Sequence, residues 1–170
     1  MHPIFSIVHK TIQGESNISN TMVSSIKSNC GKYKFHLLNN LCATPGTKFL
    51  AVGSSHDLHI AAALYKNNVD AYICTQWMND TMANKFRNTI GSMQGSKFRQ
   101  FSDPQDLLVE LKTQKENDEK LQFDVVYLGY YSPSNMFSKL NTMGLLSECC
   151  IILYDVMQIG NRMNDLMSLI

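Results

Sequence analysis

The sequence predicts an α/β fold of the Rossmann-like, doubly wound type, with a mostly parallel sheet of about five strands and helices on both faces. Two observations favour it. Short runs that are apolar at nearly every position alternate with longer segments of helical character, and strands that are apolar throughout are typical of parallel sheets covered on both sides. Parallel strands need crossover connections, whose right-handedness makes a doubly wound order the natural topology.

Two helices are predicted before the sheet. The first is expected from about Ile18 to Ser28 and the second from Tyr33 to Leu41. The turn Thr44–Thr47 ends the second helix, because Pro45 cannot continue it. We therefore expect one domain made of N-terminal helices (1–44), an α/β core (45–156) and a C-terminal tail (157–170).

The strands are predicted from apolar runs that end at glycine or polar residues. They are Lys48–Val52, Ala71–Cys74, Lys97–Phe101, Phe123–Leu128 and Cys149–Leu153. Helices are expected between them, over Leu58–Lys66 and Thr81–Thr89. A further helix is expected after Asp103, which can cap it, with Pro104 in its first turn. Another is expected to begin at Ser134 as its cap.

The composition limits the function classes. The chain has 170 residues, of which 44% are hydrophobic and 17% are charged, with a net charge of +1. No concentrated Lys/Arg surface is visible, which argues against a nucleic-acid partner. No apolar run reaches the length that spans a bilayer, and Met1–Gln13 lacks the order of a signal peptide. We expect a cytoplasmic protein without a membrane partner.

The cysteines are expected to be reduced core thiols. Their number is odd and no pair has the spacing of a metal site; they are Cys30, Cys42, Cys74, Cys149 and Cys150. His56 and Asp57 are expected to be surface polar residues rather than a catalytic pair. His59 has no third ligand at metal spacing, so no metal is expected.

Ligands of doubly wound sheets bind at the carboxyl ends of the strands, where the winding reverses. Any site is therefore expected near Gly53–His56, Thr75–Met78, Ser102 and Gly129–Ser132. Trp77 could stack an adenine ring or cover the core, and both readings stay open. Tyr130 and Tyr131 could line a pocket, although a contact patch for a partner is preferred.

Three segments resemble class I S-adenosylmethionine-dependent methyltransferases: Phe49–Ser54 before a helix, Cys74–Trp77 after the second strand and Phe123–Leu128 before a loop. The likeness is to small methyltransferase-like proteins of marine bacteria and their phages. The resemblance implies cofactor contacts from the following residues: Gly53, Ser54, Ser55, Thr75, Gln76, Trp77, Ser102 and Gly129. It also implies Asp155 as the candidate catalytic residue.

The sequence departs from the family pattern where that pattern carries acids and a second loop glycine. Ala51, Thr75 and Gly129 stand in the positions of the acids, and Asp57 stands in that of the glycine. Each lost charge-assisted contact is worth about 1.5–3 kcal/mol, so losing two weakens cofactor binding about a hundredfold or more. S-adenosylmethionine is therefore a possible but doubtful cofactor.

The chain also stops soon after Asp155, before the antiparallel strands that the family has. We therefore expect a bare fifth-strand edge, which the tail Gly160–Ile170 or another subunit would cover. This favours a degenerate, non-catalytic binding or structural module in an assembly, as a homo-oligomer or with a protein partner. If the assembly belongs to a phage, we expect this protein in the host cytoplasm or in the virion. The alternative is an active S-adenosylmethionine-dependent methyltransferase.

Overall fold

A computed structural model describes residues 3–18, 32–53, 57–75, 96–129 and 131–154. The helices in these ranges are α1 (Pro3–Ile12), α2 (Lys32–Leu41), α3 (Asp57–Leu64), α4 (Pro104–Asn117) and α5 (Met136–Thr142). The strands are β1 (Thr47–Val52), β2 (Val69–Cys74), β3 (Lys97–Phe101), β4 (Phe123–Leu128) and β5 (Leu146–Tyr154). None of the helices described is long and apolar enough to cross a membrane.

The strands form a five-stranded parallel sheet in the order β3-β2-β1-β4-β5. Chain order reverses between β1 and β4, which are neighbours in the sheet although β2 and β3 lie between them in the sequence. This arrangement confirms the predicted Rossmann-like α/β fold and places its topological switch point at β1 and β4.

Pairing at the switch point is regular, whereas pairing at the β5 side is not. Phe49 to Val52 lie opposite Val125 to Leu128 without interruption. In the β4–β5 pair, Phe123 lies opposite Leu146 but Val125 lies opposite Ile151, so β5 contains extra residues there. The bulge makes β5 longer than predicted, since the strand begins before it.

The chain divides into two compact units. The described residues of the sheet unit are 48–53, 71–75, 98–129 and 131–154, and those of the helical unit are 3–18, 32–47, 57–70 and 96–97. In the sheet unit, the apolar interior includes Leu50, Leu107, Leu111, Phe123 and Val126, all fully buried or nearly so. Burial of this apolar surface is the main stabilising contribution in that unit.

Helix α4 begins as predicted. The Asp103 carboxylate accepts a hydrogen bond of 2.6 Å from the Gln105 amide, and Pro104 occupies the first turn, where its missing N–H is not needed. Leu107, Leu108 and Leu111 form the buried face of the helix. The cap and the apolar spacing together explain why the helix starts and packs where it does.

In the helical unit, asparagine side chains satisfy buried backbone groups. Asn39 is fully buried and donates to the carbonyl oxygens of Ala62 and Tyr65, at 2.8 and 2.9 Å. Asn67 donates to the carbonyl oxygens of Asn39 and Ala63, at 2.9 and 2.8 Å. These bonds connect α2 to α3 and to the turn after it, because each amide has two donors with fixed directions.

Two details of the prediction are wrong. The residue at the start of α5 is Asn135, not Ser134, and it makes no side-chain capping bond. Cys149 is exposed rather than buried, although Cys42 and Cys74 are core thiols as expected. The edge position of β5 explains the exposure of Cys149, since no further described strand lies beyond β5. Helix α1 was not predicted.

Two predicted helices cannot be compared with the described structure. Thr81–Thr89 lies outside the described residues, and so does Ile18–Ser28 beyond Ile18 itself. The other predicted helices and all five predicted strands have counterparts, two of the strands with identical bounds and the rest with bounds that differ by a few residues.

Candidate functional site

Four of the predicted site residues directly follow strands of the sheet. Gly53 follows β1, Thr75 follows β2, Ser102 follows β3 and Gly129 follows β4. Since the strands are parallel, these residues share the carboxyl edge of the sheet, as the sequence predicted. Their assignment to a cofactor stays a prediction. The other predicted site residues, Ser54, Ser55, Gln76, Trp77 and Asp155, lie outside the described residues.

Backbone hydrogen bonds continue beyond the ends of the strands. The Gly53 amide donates to the Cys74 carbonyl at 2.9 Å, and the Gly129 amide donates to the Val52 carbonyl at 2.8 Å. The Thr75 amide donates to the Phe101 carbonyl at 3.2 Å. The carboxyl ends of adjacent strands therefore stay paired rather than separating immediately.

The loop after β4 lies directly against Gly53. The Tyr131 amide donates to the Gly53 carbonyl at 3.0 Å. A Cβ atom placed on Gly53 would lie 2.0 Å from the Ser132 nitrogen and 2.4 Å from the Tyr131 carbonyl carbon. Gly53 also has a φ of +67°, in the left-handed region that favours glycine. The space left by the absent side chain is occupied by the protein's own backbone.

Ser132 fixes the shape of this loop. Its hydroxyl donates to the Gly129 carbonyl at 2.9 Å, and its amide donates to the same oxygen at 3.1 Å. The residue is 7% exposed, so water competes little for these bonds. Next to it, Tyr131 is 42% exposed, whereas Tyr130 lies outside the described residues, so the contact patch stays a prediction. The contact between this loop and Gly53 was not predicted, although a glycine at a strand end is a signal for a close backbone approach.

Thr75 stands where the resemblance places a ribose-binding acid. The residue is 4% exposed, and its hydroxyl oxygen has no hydrogen-bond partner among the described residues. A ribose reaching this oxygen from solvent would first have to displace the atoms that cover it. A buried, unpaired hydroxyl also costs stability, which marks this position as unusual.

The thiol beside Thr75 is unsuited to nucleophilic chemistry. Burial raises the pKa of Cys74 to about 12, and the carboxylates of Asp103 and Asp106 raise it further in the same direction. The thiolate is the reactive form of cysteine, so its population at neutral pH is very small. Cys74 is therefore a core residue of the sheet unit.

Metal binding finds no support in the described ranges of the chain. Among these residues, no group of three or more His, Cys, Asp or Glu side chains could hold a metal ion. His59 is 1% exposed and its ring lies 5.3 Å from the ring of Phe35, centroid to centroid. This histidine packs in the interior of the helical unit.

Comparison with known proteins gives a likeness of fold only. The chain matches no protein-family model and no curated protein sequence. Among solved structures, it is similar to YjhP from E. coli, with a TM-score of 0.46 and 12% sequence identity. The match covers 86% of this chain and 54% of YjhP, so the chain spans about half the length of that protein. This likeness carries no argument about the family or the activity of the chain.

Proposed function

We propose that this protein is a non-catalytic descendant of the class I methyltransferase-like fold, acting as a binding or structural module in an assembly. The observation that supports it most is the contact between Gly53 and the Tyr131–Ser132 backbone. Ligands of Rossmann-like sheets bind in the crevice at the switch point. In this chain the switch point lies between β1 and β4, whose ends are joined by this contact.

Two costs would oppose S-adenosylmethionine. Opening the crevice would break the hydrogen bond from Tyr131 to Gly53 and uncover packed backbone, and an unmade buried hydrogen bond costs about 1–3 kcal/mol. The cofactor would then lack the acids that the family uses, since Ala51, Thr75 and Gly129 stand in their places. Together these costs favour a protein that has kept the sheet of the fold and no longer binds the cofactor.

The assembly role rests on β5. Among the described strands, β5 pairs with β4 alone and forms one edge of the sheet. Nine residues make it long for an edge strand, and its fourth residue, Cys149, is exposed. Such an edge is a template for pairing with another chain. We propose a second copy or another protein as the partner, in the cytoplasm or in a multi-subunit particle such as a phage.

Isothermal titration with S-adenosylmethionine and S-adenosylhomocysteine tests the catalytic status. We expect no saturable heat at millimolar ligand. A matched variant, Thr75→Asp, restores one acid and leaves the contact at Gly53 in place. We expect that this variant does not bind S-adenosylmethionine either. A dissociation constant in the low micromolar range for the unaltered chain would contradict the proposal and support the active methyltransferase.

Sedimentation tests the assembly role. We expect self-association of the purified chain that Cys149→Lys weakens, because a charge on an edge strand discourages pairing. Thr113→Lys, at an exposed position of α4, is the control and should leave association unchanged. A chain that stays monomeric at high concentration, alone and with its source extract, would argue against this role.

A further inference from the structure

A groove lies between α4 and α5, within the sheet unit, and none of its lining residues is a predicted site residue. Its volume is about 470 Å³, within the range of small-molecule pockets. Helix α4 contributes Leu108, Val109 and Lys112 to its lining. The α5 side contributes positions 135, 138, 139 and 142, whose spacing places them on one face of a helix. Two helix faces therefore form its walls.

The lining combines apolar side chains with two positive charges and three neutral polar residues, Asn135, Ser138 and Thr142. Leu108 is buried at 9% exposure, Val109 is 68% exposed, and Met143 lies at the end of α5. Of the described residues that line the groove, only Lys112 and Lys139 carry a charge. Lys112 lies on the α4 wall and Lys139 on the α5 wall, so the two ammonium groups belong to opposite sides.

We propose that this groove binds a small anionic amphiphile, a carboxylate with an apolar chain of medium length. The apolar walls would remove the chain from water, which stabilises the complex in proportion to the area buried. The lysines would pair with the carboxylate, and they would disfavour a cationic head group for the same reason. Val109, which is 68% exposed, would lose exposed apolar area when such a ligand fills the groove.

The length of the groove favours a small molecule. Seven residues of α5 span about 10 Å at the rise of an α-helix, which is a short wall. A docked helix needs room for a body about 10–12 Å wide as well as for its anchoring side chains. An alkyl chain fits along one short wall without that width.

The test is a titration of the full, isotopically labelled chain, followed by amide chemical shifts. The probes are decanoate, decanol and decyltrimethylammonium, which share a chain length and differ in head group, all kept below micelle formation. We expect saturable shifts at α4 and α5, with a dissociation constant for decanoate at least about threefold below that for decanol. Decyltrimethylammonium should bind more weakly than either.

Three variants sharpen the result. Val109→Glu places a negative charge on the groove wall at an exposed position, so the fold should persist while decanoate shifts disappear. Lys112→Met with Lys139→Met keeps the apolar stems and should reduce decanoate binding to the level of decanol. Lys120→Met, an exposed lysine outside the lining, is the control and should change nothing.

The inference fails if decanoate and decanol bind equally, if the shifts lie outside α4 and α5, or if the control variant weakens binding as much as the double variant. Binding of S-adenosylmethionine would contradict the proposed function and leave this inference standing. The groove shares no lining residue with the strand ends, so the two tests fail independently.

Discussion

Two regions of the sheet unit differ in how they use the space next to the backbone. At the ends of β1 and β4, where a Rossmann-like sheet offers its binding crevice, the protein's own loop lies against Gly53. Between α4 and α5, where the topology predicts no site, a groove of about 470 Å³ remains open. Topology therefore determines where a crevice can form, whereas contacts made by loops determine whether that crevice is open to a ligand.

The physical difference is in what fills each region. The strand ends are joined by backbone hydrogen bonds, including 2.8 Å from Gly129 to Val52 and 3.0 Å from Tyr131 to Gly53. The groove is bounded by side chains of two helices, and side chains can change rotamer at low cost. We therefore expect changes at the strand ends to act on stability and changes in the groove to act on binding.

The largest effect is expected from Gly53→Ala. The new Cβ would meet the Ser132 nitrogen at 2.0 Å, at a φ of +67° that alanine disfavours. Overpacking and backbone strain together should reduce the free energy of unfolding by about 3 kcal/mol or more. Denaturant unfolding of the unaltered chain and of the variant measures this difference in free energy.

Gly46→Ala is the matched control for that change. Gly46 has a φ of +82°, but nothing lies within 4 Å of its Cβ position. The Gly46→Ala variant should lose only about 1 kcal/mol of the free energy of unfolding, because the unfavourable backbone conformation is its only cost. Equal losses in the two variants would mean that the loop after β4 yields easily, and the contact at Gly53 would then not close the crevice.

A smaller effect, of opposite sign, is expected from Thr75→Val. The substitution keeps the shape and removes a buried hydroxyl that has no partner among the described residues. The free energy of unfolding should rise by about 1 kcal/mol, because the cost of burying that polar group disappears. A loss of stability of similar size would instead indicate that the hydroxyl is bonded, and the position would have to be reconsidered as part of a site.

The last effect concerns alkaline pH. Burial raises the pKa of Cys74 to about 12 and that of Cys150 to about 11, from 9.0. Above pH 9 the unfolded thiols ionise while the folded ones keep their protons, so the free energy of unfolding falls as pH rises. Below pH 9 these groups contribute no pH dependence.

Thermal unfolding from pH 8 to pH 11 checks this, comparing the unaltered chain with Cys74→Ala and Cys150→Ala. In each variant, stability should fall less steeply with rising pH than in the unaltered chain. The two variants should flatten the slope equally just above pH 9 and differ near pH 11, where Cys150 ionises in the folded state and Cys74 does not. Unchanged slopes in both variants would show that other groups cause the decline.

Much of the sheet could be predicted from sequence, because buried parallel strands are apolar runs bounded by polar residues. Phe123–Leu128 and Lys97–Phe101 were predicted with the observed bounds. Helix α4 followed from the cap at Asp103 and its leucine spacing. Local patterns identified these elements without knowledge of distant contacts.

The rest depended on contacts between distant parts of the chain. The bulge in β5 arises from its pairing with β4, so the start of that strand could not be read from its own residues. Gly53 was predicted to follow the first strand, but Tyr131 and Ser132, which occupy the space beside it, lie far along the chain. Helix α1 was missed since Met1–Gln13 was considered only as a possible leader. The groove requires two helices to meet, which no local pattern encodes.

The central claim is that the crevice between β1 and β4 is closed to S-adenosylmethionine. The most direct measurement is an amide-resolved titration of the labelled chain with this ligand to millimolar concentration. We predict no saturable change at Gly53, Gly129, Tyr131 or Ser132, and unaltered hydrogen exchange at the Tyr131 amide that bonds to Gly53. Saturable shifts at these amides, with faster exchange at Tyr131, would show the crevice opening around the ligand and would contradict the account.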